Sequence, residues 1–219
     1  MSLSLTKRAC AEALGSGFLL AAVVGSGIMG ERLAAGNVAV ALLANSLATG
    51  AALVALILAL APISGAHLNP AVTLVAAWNR ELSWADVPGY AAAQVTGALA
   101  GVAAANAMFA LPLFALASHT RSGTALWLSE ALATFGLIFV IRSCARQREP
   151  IVSALAVGGY IAAAYWFTAS TSFANPAVTL ARAFSDTFAG IRLADVPGFV
   201  AAQAAGTAAA AVAARWFSK

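Results

Sequence analysis

The chain has 219 residues, 62% of them hydrophobic and 9% charged, and a mean hydropathy of +0.87. Soluble domains are about 45–50% apolar and about 25% charged, so a soluble globular fold is excluded, and a disordered chain is excluded by the same excess of apolar residues. The net charge of +4 does not indicate nucleic acid, because the twelve Lys and Arg are scattered between long uncharged stretches and form no basic stripe.

Along the chain, no Asp, Glu, Lys or Arg occurs in residues 33–79, 87–120, 150–181 or 196–214. Each stretch can hold at least one membrane span, which takes about 20 mostly apolar residues. Turn signals subdivide them: Met29-Gly30-Glu31-Arg32, Pro62-Ile63-Ser64-Gly65, Asn79-Arg80-Glu81, residues 118–123 and the charged run 142–150. The expected architecture is an all-α membrane protein with spans near 9–29, 38–61, 86–109, 124–142, 151–168 and 195–216. Two apolar pieces, 69–78 and 175–184, are too short to cross and read as re-entrant half-helices. The first span follows Lys7-Arg8 like a signal peptide, but it holds Glu12, which has a counterpart in the second half.

Lys7, Arg8, Arg80, Arg142, Arg146, Arg148, Arg215 and Lys219 fall on one side of such a layout, and Arg32, Arg121, Arg182 and Arg192 on the other. The bias toward the first side predicts a multi-pass protein with both termini in the cytoplasm, in the cell (inner) membrane. Cys10 and Cys144 stand alone with no CxxC, so neither a disulfide scaffold nor a cysteine metal site is expected. No nucleophile with a base, no phosphate loop and no HExxH is present, so an enzyme, a metal and a cofactor are not expected.

An internal repeat organises the chain. Ala85-Asp86-Val87-Pro88-Gly89-Tyr90, leading to Gln94 and Gly97, returns as Ala194-Asp195-Val196-Pro197-Gly198-Phe199, leading to Gln203 and Gly206. Asn69-Pro70-Ala71-Val72-Thr73-Leu74 returns as Asn175-Pro176-Ala177-Val178-Thr179-Leu180, and Glu12-Ala13-Leu14 as Glu130-Ala131-Leu132. With three spans per half, an odd number, the second copy enters from the opposite face, which makes the halves inverted repeats, about 1–115 and 116–219. Interrupted helices in such folds aim their ends at the permeant species near the bilayer midplane.

Asn suits a helix N-cap and Pro the first helical position, so one Asn-Pro is a helix start and nothing more. Two identical copies in inverted halves bring two N-termini together, each with about half a positive charge. Irregular backbone at this depth is tolerated where it is buried or lines water, so residues 63–68 and 169–174 should present carbonyls to a pore. The Asn69 and Asn175 amides then donate hydrogen bonds where two positive helix ends repel cations and protons.

These residues resemble the aquaporin and aquaglyceroporin channels, the major intrinsic proteins; the resemblance covers nearly the whole chain and is carried above all by Ile63-Ser64-Gly65-Ala66-His67-Leu68-Asn69-Pro70-Ala71-Val72-Thr73 and the second Asn175-Pro176-Ala177. It implies a homotetramer with one pore per subunit, passive conduction of water or small uncharged solutes, and proton exclusion at the two asparagines. It also implies that Glu12 and Glu130 are buried and hold the re-entrant loops. A second constriction counted along the matched motifs falls on Thr49, Ala163 (within one turn either way), Ser172 and Val178. The family usually has Arg where Val178 stands and, in many members, a bulky aromatic where Thr49 stands. A wider mouth with small hydroxyls suits glycerol, urea or neutral metalloids such as arsenite.

Arg182 admits two readings. Its side chain either reaches back toward the mouth or snorkels to the outer surface, the reading favoured by how long basic side chains behave at helix ends. His67 is expected to line the cytoplasmic vestibule, Gln94 and Gln203 to bridge helices by hydrogen bonds, and Gly97 with Gly101 and Gly206 with Ala210 to pack helices closely. The rival class is a proton-coupled secondary transporter, for which Glu12 and Glu130 are the available intramembrane acids.

Overall fold

The computed structural model describes residues 3–145 and 149–217, so Arg146, Arg148 and Lys219 of the charge pattern lie outside the described residues. Eight α-helices follow in order: α1 Leu5–Leu33, α2 Val38–Ser64, α3 Pro70–Trp78, α4 Val87–Met108, α5 Thr124–Cys144, α6 Pro150–Phe167, α7 Pro176–Arg182 and α8 Val196–Trp216. Six of them belong to segments of 18 to 29 residues that are long and apolar enough to cross a membrane. At about 1.5 Å per residue the nine residues of α3 and seven of α7 reach less than half of a bilayer core of about 30 Å.

The helix ends follow from the sequence. Asn37 caps α2 by accepting from the N–H groups of Ala39 and Val40, and Gly65, at φ 87°, ends the same helix in the left-handed conformation. Single 3₁₀ turns at Trp84–Asp86 and Leu193–Asp195 lead into α4 and α8, each of which places Pro in its first turn. Met29-Gly30-Glu31-Arg32, read as a turn signal, lies inside α1. Gly30 is there for packing: a Cβ on it would stand 3.0 Å from the Ala41 carbonyl of α2.

The same packing scheme appears twice. α1 packs on α2 and α4 as α5 packs on α6 and α8, while α3 touches α4 and α8 as α7 touches α8 and α4. Glycines allow the closest crossings. A Cβ on Gly97 or Gly101 of α4 would lie 2.1 Å from the carbonyl oxygens of Ala13 and Gly17 in α1, and one on Gly206 of α8 would lie 2.2 Å from Ala131 O in α5. α2 and α6 cross at Gly50 and Gly158 in the same way. Leu14, Phe18, Leu47, Leu128, Leu132 and Leu155 are exposed around the outside, where a soluble protein would be polar.

Between α4 and α5 the chain crosses the end of the bundle away from the termini, called here the far mouth. It is tied to the segment after α7 by Ala115 N–H to Phe184 O and Ala117 N–H to Ala183 O, both 3.0 Å, and by Arg192 N–H to His119 O at 2.8 Å. The near mouth, on the side of the termini, is held by Arg142 with Glu81 (2.6 Å) and Arg8 with Asp86 (2.8 Å).

Candidate channel and its two constrictions

Asn69 and Asn175 cap α3 and α7 and meet in the middle of the bundle. Asn69 Oδ1 accepts from Ala71 N–H (2.9 Å), and Asn175 Oδ1 accepts from Ala177 N–H (3.0 Å) and Val178 N–H (3.3 Å). Pro70 and Pro176 follow at the first helical position, where the missing N–H costs nothing. Each amide also reaches into the other half: Asn69 Nδ2 donates to Ala174 O at 2.8 Å and Asn175 Nδ2 donates to Leu68 O at 2.7 Å.

The loops that deliver these asparagines run through left-handed backbone at matching places, Gly65, Ala66 and Leu68 in one half and Thr171, Ser172 and Ala174 in the other. Left-handed non-glycine residues cost roughly 1–2 kcal/mol each, so something must hold them. Glu12 accepts from the N–H groups of His67 (2.9 Å) and Leu68 (2.6 Å), from Ser64 Oγ (2.6 Å) and from Gln94 Nε2 (2.7 Å). Glu130 accepts from the N–H groups of Phe173 (2.8 Å) and Ala174 (2.9 Å) and from Gln203 Nε2 (2.7 Å). Gln94 Nε2 also donates to Thr73 Oγ1 and Gln203 Nε2 to Thr179 Oγ1, and these hydroxyls donate to Asn69 O and Asn175 O. The glutamines bridge helices, and the two acids are each surrounded by donors.

One cavity of about 650 Å³ runs from Arg8 and Arg142 at the near mouth, past His67, Asn69 and Asn175, to Arg182. His67 is half-buried on its wall, with Nδ1 3.2 Å from Thr73 Oγ1 and its ring 5.3 Å from that of Tyr90. On the far side Thr49, Ser172 and Val178 line the cavity, and Ser172 Oγ has no partner among the described residues.

Ala163 does not line it. It is exposed on the outer face of α6, while Ile161 and Tyr165 face the cavity and the Tyr165 hydroxyl lies 3.3 Å from Thr49 Oγ1. A helix turns about 100° per residue, so two positions separate opposite faces. Between α6 and the second Asn-Pro-Ala lies the irregular segment 168–174, across which helical phase is not carried.

The favoured reading of Arg182 is also overturned. Arg182 is 2% exposed and lines the cavity; its Nε donates to Ala189 O and its Cζ lies 3.4 Å from the centroid of the Phe173 ring. Arg121, placed among the surface charges by the sequence, is also buried near Phe173, with Cζ 5.2 Å from the ring centroid and Nε donating to Gly190 O at 2.9 Å. Tyr165, Phe173 and Arg121 were missed by sequence reasoning. The signal available for Phe173 was its position two residues before Asn175, matching His67 before Asn69. In the far loop, His119 is held below the usual imidazole range, first by partial burial and then by the charges of Arg121 and Arg182.

Two half-helices meeting head to head in an inverted repeat, with one cavity running along their tips, define a transmembrane channel. The family model described as Major intrinsic protein matches residues 1–153, and the chain belongs to that family. It is 55% identical over 212 residues to aquaglyceroporin AqpS of Rhizobium meliloti (strain 1021), an alignment covering 97% of this chain and 90% of that protein. It is 34% identical over 185 residues to aquaporin NIP1-3 of Oryza sativa subsp. japonica, covering 82% of this chain and 64% of that one. The fold superimposes on the aquaglyceroporin from Plasmodium falciparum with a TM-score of 0.77 at 20% identity, over 99% of this chain and 96% of that chain. The protein is a multi-pass membrane channel for small neutral solutes, and the coupled-transporter alternative is set aside.

Proposed function

We propose that the cavity conducts glycerol, urea or a neutral metalloid such as arsenite together with water, in single file past Asn69 and Asn175. The observation that carries this is the reciprocal pair of amide-to-carbonyl bonds between the halves, which leaves each asparagine one further N–H to offer a solute. The ends of two half-helices converge on the same point and oppose cations and protons there. Pro70, Ala71, Pro176 and Ala177 keep the two helix starts compact, while Thr49, Tyr165, Ser172 and Val178 form the far constriction. Glu12, Glu130, Gln94 and Gln203 are structural, and His67 belongs to the near vestibule.

In this reading the repeats divide near residue 115, in the long loop over the far mouth. Both termini are cytoplasmic, supported by Lys7, Arg8, Arg80, Arg142 and Arg215 on the near side, and the site is the inner membrane. Assembly as a homotetramer is supported by membership of the major intrinsic protein family alone. Stopped-flow light scattering on proteoliposomes tests the function. Fluxes of water, glycerol, urea and arsenite are expected to be non-saturating and indifferent to a proton gradient; saturation or dependence on that gradient defeats the reading.

A further inference from the structure

Val178 and Arg182 are four residues apart on α7, so they share a face, and helical side chains lean toward the N-terminus. The N-terminus of α7 lies at the centre of the bundle. Both line the cavity, Arg182 one helical turn beyond Val178 toward the far mouth. The Phe173 ring lies against the guanidinium, its centroid 3.4 Å from Cζ, and Ala189 O takes Nε, so the group is held from two sides. No other side-chain hydrogen bond and no ion pair of Arg182 is present among the described residues. The sealed side-chain atoms without partners are Ser16 Oγ, Gln94 Oε1, Ser172 Oγ and Gln203 Oε1, so the Nη groups of Arg182 meet the cavity they line.

A charge buried at this depth without a carboxylate is costly unless it faces a polar passage. We propose that Arg182 is a specificity-determining residue of the far constriction, supplying from one turn further along α7 the cationic donor group that Val178 does not. The proposal rests on the reading of the cavity as the conducting pore. Arg182 narrows a mouth that Val178 and Thr49 alone would leave wide, offers Nη donors to the hydroxyl or carbonyl oxygens of a neutral solute, and repels monovalent cations before they reach Asn69 and Asn175. Phe173 acts through Arg182 as a positioning residue.

The test uses the full chain in liposomes, with shrinkage measured in water and on glycerol, erythritol and ribitol, for wild type, R182A and the double variant V178R/R182A. R182A is expected to raise the ribitol-to-water permeability ratio about five-fold or more, and V178R/R182A to return it to within about two-fold of wild type. A purely structural Arg182 would lower all fluxes together and would not be rescued by a guanidinium at position 178. An unchanged ratio in R182A with water flux intact overturns the proposal. If R182A is not recovered folded, R182Q and R182K are compared for methylammonium leak: leak in R182Q alone supports it, and equal leak in both overturns it. A wild-type protein without solute flux would instead defeat the pore reading.

Discussion

Glu12, Gln94 and Thr73 in the first half and Glu130, Gln203 and Thr179 in the second make the same chain of hydrogen bonds to the asparagine that caps a half-helix. His67 and Phe173 hold matching sequence positions beside those asparagines, yet their surroundings differ. His67 packs on Tyr90, whose hydroxyl donates to Ser64 O at 2.9 Å. Phe173 packs on Phe199, which has no hydroxyl, and Ser170 O, the counterpart of Ser64 O, is approached by Arg121 Nη1 at 3.5 Å. Ala76 in the first half stands where Arg182 stands in the second. Both halves must hold the same left-handed loop, so the supports repeat. The mouths carry no such shared demand, and side chains there are free to diverge toward selectivity.

The comparison breaks first if the two acids are unequal. Glu12→Gln and Glu130→Gln each put an NH₂ among groups that donate, and charge-assisted bonds contribute roughly 1.5–3 kcal/mol each, so each variant should lose about 3 kcal/mol or more of stability. Fluorescence-detected size exclusion after heating would show both midpoints falling steeply, with Glu12→Gln the worse because it holds four donors against three. Normal folding of either variant would mean that its half does not need the support.

The helix crossings come next in size. Gly97→Ala and Gly206→Ala force a methyl group onto a backbone carbonyl in the neighbouring helix, which cannot yield as a side chain does. Overpacking of this kind costs about 1–3 kcal/mol, and the two losses should match if the α1–α4 and α5–α8 contacts are equivalent. Gly159→Ala is the control: nothing lies within 4 Å of its added carbon, and stability should hold or rise.

Much of the fold was legible because it depends on length and local chemistry. Uncharged runs gave six spans, and the repeated Asn-Pro gave the half-helix starts to within a residue. What escaped depended on neighbours distant in sequence. Gly30 read as a turn because nothing local shows Ala41 pressing on it. The facing of α6 escapes the motifs because the irregular segment 168–174 separates them from it, and a two-residue shift in helical phase exchanges the cavity-facing Tyr165 for the outward Ala163. Arg182 read as a surface arginine because Phe173 and Ala189, which hold it inside, come from segments before and after α7.

The smallest effect separates the two mouths by their clasps. Asp186, after α7, accepts from both the N–H and Oγ of Ser118 at 2.9 Å, and these bonds hold its pKa below the usual carboxylate value. Both mouths carry a guanidinium on an aspartate, Arg8 on Asp86 and Arg192 on Asp195, but the second carboxylate of the near mouth, Glu81, is held by Arg142 and not by a serine. A carboxylate with a lowered folded pKa gives its stabilisation in full above the unfolded value, near 3.8, and loses it as pH falls through the folded one. Asp186 is exposed, so the loss loosens the far loop without unfolding the bundle. Hydrogen exchange at Ser118 N–H, corrected for the intrinsic pH dependence of exchange, should lose protection on acidification below about pH 4. Asp186→Asn should be less protected at neutral pH and should lack that acid-dependent step. If the variant keeps the step, another group holds the loop, and the two mouths do not differ in the way their clasps are built.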